Sequence, residues 1–207
     1  MTRSATLISL IVPTLLALLL LFVPTAGASA QTNDAATRVF WDALAQHCGQ
    51  AYHGQRVVAR DDREDLLKGD ETLAVHFREC SNELLALPFH IQHADGSWDR
   101  SRTWRFTWSD AGTGLELRHD HRLPDGAPDE SNTFYGGYSY TGNGNTQRFL
   151  FTDRTGDEGQ LLGWQIEIVP GIRYTYGTFR GEDWTWRLDF DLTQALPEVP
   201  QAPWGFE

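Results

Sequence analysis

Over residues 56–192 apolar and polar side chains alternate with a period of two, in about ten short runs that never return to helical spacing. The runs cover 56–60, 72–80, 83–92, 102–109, 114–121, 132–140, 147–151, 162–169, 172–180 and 184–192. Turn chemistry separates many of them: Asp95-Gly96, Pro124-Asp125-Gly126, Gly142-Asn143-Gly144-Asn145, Thr155-Gly156-Asp157 and Arg180-Gly181-Glu182-Asp183. Such turns join antiparallel neighbours. A meander of amphipathic strands must hide one apolar face and leave no open edge. The pattern therefore predicts a mainly β protein, an antiparallel up-and-down β-barrel or a strongly curled sheet of about ten strands.

One helix precedes the strands. Val39, Phe40, Ala43, Leu44 and His47 share a face, Asp34 can cap the start and Gly49 the end, which predicts a helix over 34–48. The tail, 196–207, holds Pro197, Pro200 and Pro203 and reads as extended, docked by Trp204 and Phe206. Upstream, Arg3 precedes an apolar run over 7–23, followed by Pro24 and the small residues Ala28, Ser29 and Ala30. This is the order of a secretory signal cleaved after Ala30, so residues 1–30 read as a signal peptide. A spanning helix is the competing reading of the run, but Pro13 interrupts it. Gln31, not a cysteine, follows the cleavage site, so the lipoprotein pattern is missing. The expected product is one exported domain over 31–195 plus its tail, periplasmic or secreted, with no membrane insertion after cleavage. In that setting Cys48 and Cys80 predict a disulfide.

Charge narrows the partners. The net charge is −11, and cleavage would remove Arg3 but no acid. Such a surface repels polyanions, which argues against nucleic acid and anionic lipid. The acidic stretch Asp153, Thr155, Asp157, Glu158 departs from EF-hand spacing and reads as a solvated turn.

Strand parity says which side chains share the buried face. Trp184, Trp186, Leu188, Phe190 and Leu192 lie on one face of their run, and Trp104, Phe106 and Trp108 on one face of theirs, with Arg102 at the inner rim. One side of the sheet is thus rich in aromatic rings, which form either plain core or the lining of a cavity. Residues 114–122 depart from the apolar-in pattern, because His119 and His121 follow Leu115 and Leu117 inward. Two imidazoles on one face can hold zinc if a third ligand arrives. His76 falls on the outward parity, whereas His93 continues the inward row Leu85, Leu87, Phe89 and Ile91, and Tyr135 is a further candidate. The metal set is then His119, His121 and His93. Without metal, His119, His121, Arg102, Trp104 and Tyr135 are candidate contacts to a small molecule, and protonated histidine beside Arg102 would suit an organic anion. Gly136-Gly137 after Tyr135 marks a bulge or a close backbone approach, the bulge being the commoner cause. No G-x-S-x-G, H-E-x-x-H or C-x-x-C occurs, so no catalytic residue is assigned.

The segments Phe40-Trp41-Asp42-Ala43-Leu44, Cys48-Gly49 with Tyr52 and Gly54, Ser101-Arg102-Thr103-Trp104, His119-Asp120-His121-Arg122, Tyr135-Gly136-Gly137 and Phe190-Asp191-Leu192 together resemble a functionally uncharacterised family of exported bacterial proteins. The resemblance implies export and carries no chemistry. In architecture alone the chain is similar to lipocalins, whose early G-x-W is not found here; a shared fold does not transfer function. Three expectations follow. The first is a small-molecule-binding barrel with an aromatic interior, the second a zinc-dependent hydrolase or lyase built on the H-x-H strand, and the third an envelope protein whose aromatics are only core.

Overall fold

The computed structural model describes residues 27–59, 66–109, 114–152 and 155–207. Most of the signal segment, Arg60 of the first run and Asp153 of the acidic turn lie outside the described residues. The described residues form one helix, α1 (Gly27–Ala45), and eleven strands: β1 (Ala51–Val58), β2 (Thr72–His76), β3 (Glu79–Cys80), β4 (Leu84–Gln92), β5 (Trp98–Trp108), β6 (Leu115–His121), β7 (Tyr135–Gly142), β8 (Thr146–Leu150), β9 (Leu162–Val169), β10 (Arg173–Arg180) and β11 (Asp183–Asp191). Every pairing is antiparallel.

β1 pairs with β11 on one side and β2 on the other, and β2 pairs with β4, so the sheet closes on itself. The expected strand over 72–80 is split into β2 and β3, which lie end to end along β4, so the ring has ten staves. Closure leaves no sheet edge, the solution anticipated for amphipathic strands that cannot stay open.

The helix starts at Gly27 and ends at Ala45. It begins before Asp34 because backbone helix continues upstream through the alanine-rich stretch, and Asp34 therefore sits inside it and not at its cap. Past Ala45 the turn over 46–49 finishes with Gly49 at φ 82° and its N–H on the Phe77 carbonyl, 2.7 Å. Phe40 and Leu44 are fully buried, and α1 packs on β7, β8 and β9. It stops the barrel end that carries the β5–β6, β7–β8 and β9–β10 turns. His47 is a structural link there: Nδ1 lies 2.8 Å from the Tyr52 hydroxyl, and the Gly171 N–H donates to Nε2 at 3.2 Å.

Cys48 and Cys80 form the expected disulfide at this same end. Tying a loop of about 33 residues restricts the unfolded chain by roughly 3.5–4 kcal/mol. A Cys48→Ser, Cys80→Ser double variant is expected to melt roughly 10 °C lower, measured by circular dichroism; an unchanged midpoint would show that the link adds nothing.

The tail over 196–207 crosses the outer face of β4 and β5. Trp204 N–H bonds to the Arg100 carbonyl at 3.2 Å, Arg100 Nη1 to the Ala202 carbonyl at 2.5 Å, and Arg78 Nη2 to the Phe206 carbonyl at 2.9 Å. Arg122 stacks 4.9 Å from the Phe206 ring. His90, on the outer face between those two arginines, is consequently 0% exposed, and neither ring nitrogen has a hydrogen-bond partner.

Elsewhere the outer face is polar and laced by carboxylate–arginine pairs two residues apart on one strand. Arg118 with Glu116, Arg122 with Asp120 and Arg187 with Asp189 are joined at 2.7–2.8 Å. No helix among the described residues is long and apolar enough to cross a membrane.

Candidate functional site

Inside the ring the two halves differ. Toward α1 the inward side chains, among them Phe77, Leu85, Leu115, Phe149, Ile168 and Tyr174, are fully buried against one another. Toward the other end they stand apart around a cavity of about 510 Å³. Its position follows from parity: Trp104 on β5, Trp164 on β9, Tyr176 on β10 and Trp186 on β11 point inward because Phe106, Ile166, Tyr174 and Leu188, two residues away, fill the floor. The rings form a continuous arc. Phe89 stacks on Trp104 at 5.3 Å, Trp104 meets Tyr176 at 3.8 Å, Tyr176 meets Trp164 at 6.3 Å, and Tyr135 lies 5.1 Å from Trp164. At the mouth, Ser131, Asn132 and Thr133 of the β6–β7 loop face Thr178 and Thr185, and Arg180 sits exposed.

Trp104 and His119 are direct cross-strand partners. His119 is 3% exposed, lines the cavity, and lies 4.8 Å from the Tyr135 ring. Its Nδ1 has no hydrogen-bond partner, and Trp104 Nε1 lies against Tyr176 without an acceptor at bonding geometry. Burial drives the His119 imidazole down to about 3, Arg102 and His121 add to the effect, and a backbone hydrogen bond at Asn132 opposes it. The ring is therefore neutral at physiological pH.

Arg102 reaches the cavity wall with its charge already matched. Nη1 lies 2.5 Å from Asp99 Oδ2 and 2.8 Å from Ser101 Oγ. Burial alone would push the Asp99 carboxyl up, but the Arg102 charge and hydrogen bonds from Ser101 and Arg102 outweigh it and hold the group below the usual carboxylate range. Burial likewise keeps the Tyr176 phenol protonated.

Of the five sequence-derived contacts, His119, Arg102, Trp104 and Tyr135 line the cavity. His121 follows His119 along β6, ring centroids 5.6 Å apart, but its Nδ1 turns to Asp129 Oδ2 at 3.1 Å. Burial and then Arg102 lower the His121 pKa, against the pull of Asp129. His93 does not continue the inward row. β4 ends at Gln92 after a register shift between Phe89 and Ile91, and His93 is exposed in the turn, where its N–H bonds to the Ser97 carbonyl. Among the described residues no set of three or more His, Cys, Asp or Glu is arranged to hold a metal ion. An arginine beside both imidazoles also disfavours a cation between them.

Gly136 and Gly137 mark a close approach and not a bulge. Pairing with β6 is regular through both, Leu117 with Gly137 and Arg118 with Gly136. A Cβ at Gly137 would meet the Leu150 carbonyl oxygen at 1.5 Å, and one at Gly136 the Leu117 oxygen at 2.0 Å. The tight crossing draws β7 inward beside the cavity and sets Tyr135 against His119.

Sequence reading missed Trp164, Tyr176 and the mouth residues 131–133. The first two were within reach of parity in their own runs; the loop residues carry no periodic signal. Comparison of the chain with family models, with curated proteins and with solved structures finds no match in any of the three.

Proposed function

We propose that the protein is an exported barrel that binds a small molecule in its aromatic interior, with Trp104, Tyr135, His119 and Arg102 as contacts and His121 at the rim. The observation that carries this reading is the 510 Å³ cavity, stopped at one end by a helix and ringed at the other by small polar side chains. That volume falls within the roughly 300–1,000 Å³ of small-molecule sites. A barrel that only needed a core would fill both halves, because interiors pack densely. Export is supported by the order of residues 1–30, by the disulfide and by the resemblance to exported bacterial proteins. For the zinc reading, no set of three or more His, Cys, Asp or Glu among the described residues is arranged to hold a metal around the two imidazoles.

Native mass spectrometry of the full-length gene product, recovered after expression with its own leader, tests both parts. The expected species begins at Gln31 and takes up one molecule of N-phenyl-1-naphthylamine or of its sulfonated analogue 8-anilinonaphthalene-1-sulfonate. Retention of residues 1–30 would sink export, and failure of both probes to bind at one per chain would sink the pocket.

A further inference from the structure

We infer that the cavity takes an uncharged, flat aromatic or polycyclic molecule, any charged group of which stays at the mouth. This rests on the ligand-binding reading above and specifies what the pocket selects.

Charge is the first discriminator. Arg102 is the cation set into the wall, and its guanidinium is held by Asp99 and Ser101 at 2.5 and 2.8 Å. An anion entering the cavity would have to compete with the Asp99 carboxylate for that guanidinium, and would lose its hydration in doing so. A cation would meet Arg102 itself, and no Asp or Glu among the described residues lines the cavity to receive it. His119 does not supply a positive charge, since burial beside Arg102 keeps its ring neutral. A protonated His119 joining Arg102 on an organic anion is disfavoured by burial and by the Arg102 charge beside it. Arg180 is the other cationic side chain of the lining, and it sits exposed at the mouth, where water screens it.

Shape is the second. Most lining rings are packed on one another, Phe89 on Trp104 within 16° of parallel and Trp186 edge-on to Tyr176 at 88°, and the half-buried rings of Tyr135 and Phe151 are those left to face the opening. Flat π-systems gain from offset stacking and edge contacts beyond the area they bury, and a saturated chain does not. The cross-strand pair Trp104 and His119 adds an indole N–H beside the Tyr176 phenol, next to a neutral imidazole whose Nδ1 has no hydrogen-bond partner. A small side-chain rotation would let a hydroxyl or carbonyl on the ligand engage them, and an uncharged polar group is the kind that such a pair rewards.

Titration at pH 7.5 with three probes decides the matter, the two naphthylamines read by quenching of tryptophan fluorescence and the alcohol by its displacement of bound N-phenyl-1-naphthylamine. N-phenyl-1-naphthylamine is flat and uncharged; 8-anilinonaphthalene-1-sulfonate has the same skeleton with an anionic group; decan-1-ol is uncharged and saturated. The expected result is at least tenfold tighter binding of the first than of either other probe. An Asp99→Asn variant, which frees Arg102, should narrow the gap between the two naphthylamines at least threefold. Equal or tighter binding of the sulfonate or of the alcohol by the unaltered protein overturns the inference while leaving a binding barrel standing. Failure of all three overturns the ligand-binding reading itself.

Discussion

Acidification from pH 6.5 to 4 is expected to remove on the order of 5–7 kcal/mol of stability through two histidines alone. His90 and His119 are held down to about 4 and about 3, in each case first by burial, against an ordinary imidazole value of 6.5. Above pH 6.5 both rings are neutral in the folded and unfolded chain and contribute nothing to pH dependence. Below it the unfolded chain takes up two protons that the folded chain refuses until its own lower values are reached. Stability therefore falls with pH by about 1.4 kcal/mol per unit for each ring across that window. His47, His76 and His121 are shifted in the same direction. A net stability of roughly 5–15 kcal/mol does not survive such a loss comfortably. Urea unfolding at pH 7, 5.5 and 4.5 measures the slope. Gln at either position should reduce it by about 1.4 kcal/mol per unit, and variants with the unaltered slope would refute the neutral, buried state of these rings.

Replacing Gly137 by Ala is expected to cost more than about 4 kcal/mol, the range reached when backbone must move. The added methyl would stand 1.5 Å from a carbonyl oxygen of β8, and neither backbone can yield without breaking the β7–β8 register. Gly49 provides the contrast. Nothing lies within 4 Å of its Cβ position and only its φ of 82° disfavours a side chain, so Gly49→Ala should cost about 1 kcal/mol. Denaturant unfolding of the two variants separates the mechanisms; equal costs would remove the close approach as an explanation.

The barrel was legible because alternation is a local signal that survives in most strands, though in β11 a register shift sets Trp184 against Gly177 and Arg187 and off the predicted inward row. Trp104, Phe106, Leu117, His119, Trp186 and Leu188 all face inward as their parity requires. What escaped was set by contacts distant in sequence. His90 has outward parity and nevertheless loses all exposure, because a tail more than a hundred residues later lies over it. His93 has inward parity on paper, but a register shift between Phe89 and Ile91 interrupts the count and the strand ends at Gln92. Gly136-Gly137 signalled something unusual, yet a bulge and a close approach leave the same two letters. The charge state of Arg102 was not readable either, since Asp99 precedes it by three positions and only the strand's local geometry brings the carboxylate onto the guanidinium.

The last strand of the ring is hydrogen-bonded to the first, with Phe190 opposite Gly54. A nascent chain emerging from the ribosome cannot complete its barrel until nearly all of it has been synthesised. Long-range pairing of this kind slows folding, so the growing polypeptide carries an open sheet edge until β11 arrives to cover it.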